Sequence, residues 1–123
     1  NSHAALLFYW PNEERQIRIQ GRVSKISKKT SEKYFHTRPR LSQLATWISK
    51  QSQNITNRKQ LEDELVTITR KYENQEVPLP DYWGGYSLSP DSYEFWQGRR
   101  GRLHDRFFYA LNKTHWSVER LAP

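Results

Sequence analysis

A chain of 123 residues has room for one domain with one core; its hydrophobic share of 35% is low for a globular protein, yet aromatics reach 14%. Cysteine is absent, which excludes disulfide scaffolds, thiolate zinc sites and cysteine nucleophiles. The net charge of +7 is spread along the chain and calls for a polyanion, a phosphorylated small molecule or a membrane surface as partner. No apolar run approaches the roughly 20 residues that cross a bilayer, and no signal-peptide pattern is present. The expectation is therefore a cytoplasmic protein with no membrane partner. The sequence opens at Asn1 without methionine and close to a strand, so an N-terminal part is expected to be missing.

In chain order, Ala4 to Trp10 is an unbroken apolar run ended by Pro11-Asn12, which predicts a strand buried on both faces. Arg15 to Val23 alternates, with Ile17, Ile19 and Val23 inward and Gln16, Arg18, Gln20 and Arg22 outward, so the two segments form an antiparallel hairpin. Ile26 breaks that parity and puts a bulge or the strand's end near Ser24. Thr30 or Ser31 is expected to cap a short helix that stops by Arg38, because the residue before Pro39 is disfavoured in the α region.

A second helix carries Leu41, Leu44, Ala45 and Ile48 on one face. A third runs from about Arg58 to Asn74, with Leu61, Leu65, Ile68 and Tyr72 as its stripe and Asn57 and Gln60 resembling a capping box. Val77-Pro78-Leu79-Pro80 reads as an extended linker and Trp83 to Tyr86 as a turn. Strands return at Ser92 to Gln97, Arg106 to Leu111 and Trp116 to Leu121, with Trp116 and Val118 toward the core. Strands, then helices, then strands predict a single α+β domain, mainly β, with an antiparallel sheet or barrel.

Two stretches can carry chemistry. Tyr34, Arg38 and Ser42 recur every four residues across the Arg38-Pro39 break, which puts Arg38 between two helices and Ser42 in the first turn of the second. A phenol, a guanidinium fork and a hydroxyl beside a helix N-terminus suit a phosphate monoester. Gln51-Ser52 adds two polar groups where the second helix gives way to loop. Tyr93 to Phe107, YEFWQGRRGRLHDRF, reads as two strand ends around a Gly98 to Gly101 loop, with Arg102, His104 and Arg106 on one face. His36 and His115 lack partners at ligand spacing, so no metal is expected. There is no phosphate-binding glycine loop and no serine elbow. The aromatics Phe8, Phe95, Phe107 and Trp116 fall where strands would bury them, and no nucleic-acid recognition signature stands out. These features by themselves leave a phosphorylated small molecule and a nucleic acid nearly level as partner.

YFHTRPRLSQLATWISKQS (Tyr34 to Ser52), VPLPDYWGGY (Val77 to Tyr86), EFWQGRRGRLHDRFFY (Glu94 to Tyr109) and the final ERLAP closely resemble pyridoxine/pyridoxamine 5′-phosphate oxidase, in register from Asn1 to Pro123. The resemblance covers the C-terminal portion of that family's chain; the earlier strands, with basic residues for the flavin phosphate and a lysine for substrate phosphate, are absent. It implies an FMN-binding split β-barrel, Greek-key-like with helices between strands, working as a homodimer with FMN between subunits. The implied reaction oxidises pyridoxine or pyridoxamine 5′-phosphate to pyridoxal 5′-phosphate, with hydride passing to flavin N5 and dioxygen then giving hydrogen peroxide.

Carried over by motif, Tyr34, Arg38 and Ser42 hold the substrate phosphate, and Arg102, Leu103 and His104 meet the substrate, with Arg102 and His104 over the reacting ring. Gln16, Gln51, Ser52, Trp96 and Arg106 contact FMN. Arg99 and Arg100 fall outside the matched motif residues. The rivals are a flavin-binding split-barrel relative without this activity and a basic nucleic-acid-binding module.

Overall fold

Five strands form one sheet in the order β1-β2-β3-β4-β5. They are β1 (His3–Trp10), β2 (Arg15–Lys25), β3 (Tyr86–Gln97), β4 (Asp105–Asn112) and β5 (His115–Leu121). The computed structural model describes residues 1–123. It divides them into a sheet unit, Asn1–Ser24 with Tyr86–Pro123, and a helical unit, Lys25–Gly85.

In the sheet unit, β1 and β2 make the expected antiparallel hairpin, with Phe8 opposite Ile17 and Tyr9 opposite Gln16. β2 ends at Lys25, close to the predicted break. Pairs β3/β4 and β4/β5 are also antiparallel. β3 is longer than predicted and runs through Pro90. The carbonyl of Ser89 lies so close to Gly21 that a Cβ there would collide with it, and Pro90 Cα would stand only 2.7 Å away. Gly21 therefore serves close backbone approach between β2 and β3.

The expected burial of this sheet is corrected. Every residue of β1 is exposed, Leu7 at 61% and Tyr9 at 56%. Phe8, Phe95, Trp116 and Val118 are exposed as well. An apolar run records that a strand is made to be covered; it does not say that the cover lies within these residues.

The helical unit holds α1 (Lys28–Thr37), α2 (Arg40–Ile48) and α3 (Arg58–Lys71). Its core is Phe35, Leu44, Tyr72, Val77 and Leu79, with Trp47, Leu65, Ile68 and Trp83 packed against it. Three expectations change. The cap of α1 is Ser27, whose hydroxyl accepts from the Thr30 N–H, so neither Thr30 nor Ser31 caps it. Leu41 points to solvent, and Gln43 is buried in its stead, donating to the Arg38 carbonyl at 2.8 Å. Val77 to Pro80 is no linker: Val77 and Pro80 are fully buried and Leu79 nearly so, because a segment with few free N–H groups can cross a core at little hydrogen-bonding cost. Asn57 caps α3 as predicted, accepting from Gln60 N at 3.0 Å. The Arg40 guanidinium closes its other end, donating to the carbonyls of Tyr72 and Gln75.

Candidate functional site

The break between α1 and α2 builds the first cluster. α1 ends at Thr37, and Arg38 takes an extended conformation with ψ 150° ahead of Pro39, the N-terminal residue flanking α2. The Arg38 guanidinium lies 5.3 Å from the Trp83 ring centroid, and its Nη1 donates to Thr46 Oγ1 at 2.9 Å. The Thr46 hydroxyl in turn donates to the Ser42 carbonyl at 2.8 Å, which ties the guanidinium to the helix that carries Ser42. The main-chain N–H of Ser42 is taken by the Pro39 carbonyl at 2.8 Å, so Ser42 offers its hydroxyl and not its backbone. Tyr34 stacks on the other partner of this group, Trp83, at 6.1 Å and 14°.

Arg38, Ser42, Thr46, Gln51, Tyr82 and Trp83 share a cleft of about 830 Å³. Tyr34 is outside its lining, held at the cluster through Trp83. Ser52 sits in the turn after α2 with a left-handed φ of 64° and is exposed. Tyr82 donates to the Thr46 carbonyl, and burial raises its phenol above the ordinary value.

Residues predicted for flavin and for the substrate ring fall largely in the sheet unit. Gln16 and Trp96 line one cleft of about 600 Å³, with Trp10, Phe95 and Phe107 among its walls. An aromatic-walled cleft with a side-chain amide at its edge fits a planar heteroaromatic ring such as that of FMN. Arg106 is not in this lining. Its Nε donates to Glu94 at 2.8 Å and Nη1 to the Ala122 carbonyl at 2.9 Å, and the Glu94 hydrogen bond raises its pKa further.

The predicted common strand face of Arg102, His104 and Arg106 is corrected. β4 begins only at Asp105, and Arg100–Arg102 form a tight turn ahead of it, not part of the strand. Gly101 (φ 67°) and Arg102 (φ 62°) are consecutive left-handed residues, a conformation that costs a non-glycine residue about 1–2 kcal/mol. The reversal brings His104 back to Arg99, five residues earlier, whose main-chain N–H donates to His104 Nδ1 at 3.1 Å. The imidazole also meets the Trp96 ring at 4.8 Å. Arg102 and Leu103 are exposed, Leu103 at 72%. Leu103 and His104 line a small cleft with Asp105 and Arg120.

Trp83, Thr46 and Arg99 were not singled out in the sequence. The available signals were the WGGY ring for Trp83 and the spacing of four from Ser42 to Thr46. Nothing in the sequence marks the main-chain N–H of Arg99.

This arrangement of strands is that of the FMN-binding split-barrel proteins. PhzG from Burkholderia lata 383, solved with tetrahydrophenazine-1-carboxylic acid, superposes with TM-score 0.89 at 26% identity over all of this chain and 60% of its own. A pyridoxamine 5′-phosphate oxidase-related, FMN-binding protein from Nostoc punctiforme PCC 73102 superposes with TM-score 0.68 at 17% identity, over all of this chain and 64% of its own, and bears on the fold alone. Residues 1–72 match the family model for pyridoxamine 5′-phosphate oxidase, and residues 83–123 match that for the pyridoxine 5′-phosphate oxidase C-terminal dimerisation region. The chain belongs to the pyridoxamine 5′-phosphate oxidase family. Among its relatives, the pyridoxine/pyridoxamine 5′-phosphate oxidases of Vesicomyosocius okutanii and Leptospira biflexa are 53% and 50% identical over the whole chain. The chain spans 58% of the length of each.

Proposed function

We propose that the whole protein is an FMN-dependent oxidase converting pyridoxine or pyridoxamine 5′-phosphate to pyridoxal 5′-phosphate. With the alcohol, dioxygen is reduced to hydrogen peroxide; with the amine, water is also consumed and ammonia released. The observation that carries the reading is the Arg38 cluster: a guanidinium seated on Trp83 and braced by Thr46, with the Ser42 hydroxyl in the same cleft. Such a grip suits a dianionic phosphate, since charge-assisted hydrogen bonds from a preset fork are strong and directional.

In this reading Tyr34, Arg38 and Ser42 bind the substrate phosphate, while Arg102, Leu103 and His104 meet the substrate ring. Gln16, Gln51, Ser52, Trp96 and Arg106 hold FMN. Bound FMN supplies the hydride acceptor and the reaction with dioxygen. The protein's share is positioning: stacked rings held at contact distance take much of the entropic cost out of the reaction. Arg102 favours negative charge on the substrate's ring oxygen, and His104 orients the ring. The match of residues 83–123 to a dimerisation region supports a homodimer.

The PhzG likeness favours a second reading, oxidation of a larger, unphosphorylated ring system. The test is product formation by the FMN-loaded full-length protein supplied separately with pyridoxamine 5′-phosphate, pyridoxine 5′-phosphate and a tetrahydrophenazine carboxylate. Pyridoxal 5′-phosphate and peroxide in equal amounts support the proposal. Turnover of the phenazine alone replaces it with the second reading.

A further inference from the structure

We infer that Arg99 is a positioning residue that fixes His104 in the neutral tautomer protonated at Nε2. The inference rests on the reading of His104 as a substrate-ring contact, and it adds what that contact can donate.

A main-chain N–H can only donate. Because the Arg99 N–H points at His104 Nδ1 over 3.1 Å, that nitrogen presents its lone pair, and a neutral imidazole must then carry its proton on Nε2. The Arg99 main chain is itself pinned. Its side-chain Nε donates to Asp105 Oδ2 at 2.8 Å, and Asp105 Oδ1 accepts from Arg120 Nη1 on β5 at 3.1 Å. The carboxylate therefore joins the loop to the neighbouring strand. The left-handed pair Gly101 and Arg102 supplies the reversal that lets residue 104 return to residue 99. On its other side the imidazole rests against Trp96, a neutral ring.

Asp105, Arg120 and Pro123 line the same cleft as His104, Glu14 lies against Gly98 next to Arg99, and the Asp105 carboxylate is already taken by two guanidinium groups. The Arg99 N–H occupies Nδ1, and a proton placed there would break that hydrogen bond. His104 consequently acts as a hydrogen-bond donor from Nε2 to an electron-rich oxygen of the substrate ring. It does not act as a general base.

Ring-¹⁵N spectra of the FMN-loaded full-length protein, labelled at histidine and assigned with His104→Gln, test this at neutral pH. The expected result is an unprotonated Nδ1 and a proton-bearing Nε2 in the wild type. In Arg99→Ala the two resonances are expected to move toward averaged tautomers, with Arg99→Lys restoring the pattern. With pyridoxamine 5′-phosphate, kcat of Arg99→Ala should fall by about ten- to a hundredfold, the scale of a lost positioning contact, while KM stays within about twofold. A proton on Nδ1, an averaged wild-type spectrum, or a wild-type-like spectrum in Arg99→Ala overturns the inference. The spectra are read without turnover, so an inactive protein showing the Nε2–H pattern contradicts the proposed reaction and leaves the tautomer assignment standing.

Discussion

Arg38 sits between two helices with its guanidinium face on Trp83 and one nitrogen on Thr46, which leaves the rest of the fork free for an anion. If Arg38 binds the substrate phosphate as proposed, Arg38→Ala removes a charge-assisted contact worth roughly 1.5–3 kcal/mol. Apparent KM for the phosphorylated substrate should rise by about ten- to a hundredfold, with kcat changed much less. Steady-state kinetics check this, and an unchanged KM removes the phosphate role. Trp83→Leu should act in the same direction without touching substrate, because it frees both Tyr34 and Arg38 from their common platform. Asp105 gives a prediction in pH. Its carboxyl is held below the ordinary 3.8, first by the Arg99 hydrogen bond and then, against a burial penalty, by the charges of Arg99 and Arg120. A depressed carboxylate stabilises the fold above the unfolded pKa and loses that contribution as pH falls through the folded one. The melting-temperature difference between wild type and Asp105→Asn should therefore be constant from about pH 6 to 8 and shrink only below about pH 4. A difference that varied across neutrality would exclude Asp105 as its source.

At the level of elements, single residues decide where segments begin and how closely they approach. Ser27→Ala removes the α1 cap and should cost about 1 kcal/mol, whereas Thr30→Ala and Ser31→Ala should not reproduce a cap loss. Denaturant unfolding of the three variants distinguishes them. Gly21→Ala drives a methyl into the Ser89 carbonyl and should cost about 1–3 kcal/mol or part β2 from β3. Much of this layout was legible in the sequence: the β1/β2 hairpin, the stop of α1 before Pro39, the Asn57 cap and the three later strands. What escaped had definite causes. Ser27, Thr30 and Ser31 are equally suitable caps by residue type, and only the direction of one hydroxyl chooses among them. Alternation across RGRLHDR mimics a strand, because the left-handed turn at Gly101 and Arg102 is a backbone property that an arginine does not announce. The two prolines of Val77 to Pro80 suggested a linker because chain extension and burial are independent. The spacing of Tyr34, Arg38 and Ser42 was legible, but Trp83 and Thr46, which organise the Arg38 cluster, come from another segment and from the far end of the same helix.

Across the whole molecule, the two units differ in how well they are covered. The helical unit closes around Phe35 and Val77, both fully buried, whereas the sheet unit buries no hydrophobic side chain completely and leaves both faces of β1 open. An exposed apolar strand at a sheet edge invites association. Residues 1–123 prepared alone should bind a hydrophobic dye and sediment as heterogeneous oligomers, while the full-length protein sediments as one discrete species. A monodisperse, dye-silent 123-residue chain would show that the sheet needs no further cover. The oxidase reading is tested most directly by mixing the FMN-loaded full-length protein with pyridoxamine 5′-phosphate in the absence of air and following visible absorbance. Loss of the oxidised flavin bands, their return on admitting air, and one pyridoxal 5′-phosphate formed per flavin in the anaerobic phase are the predicted result. Flavin bands that persist under saturating pyridoxamine and pyridoxine 5′-phosphate alike would contradict it.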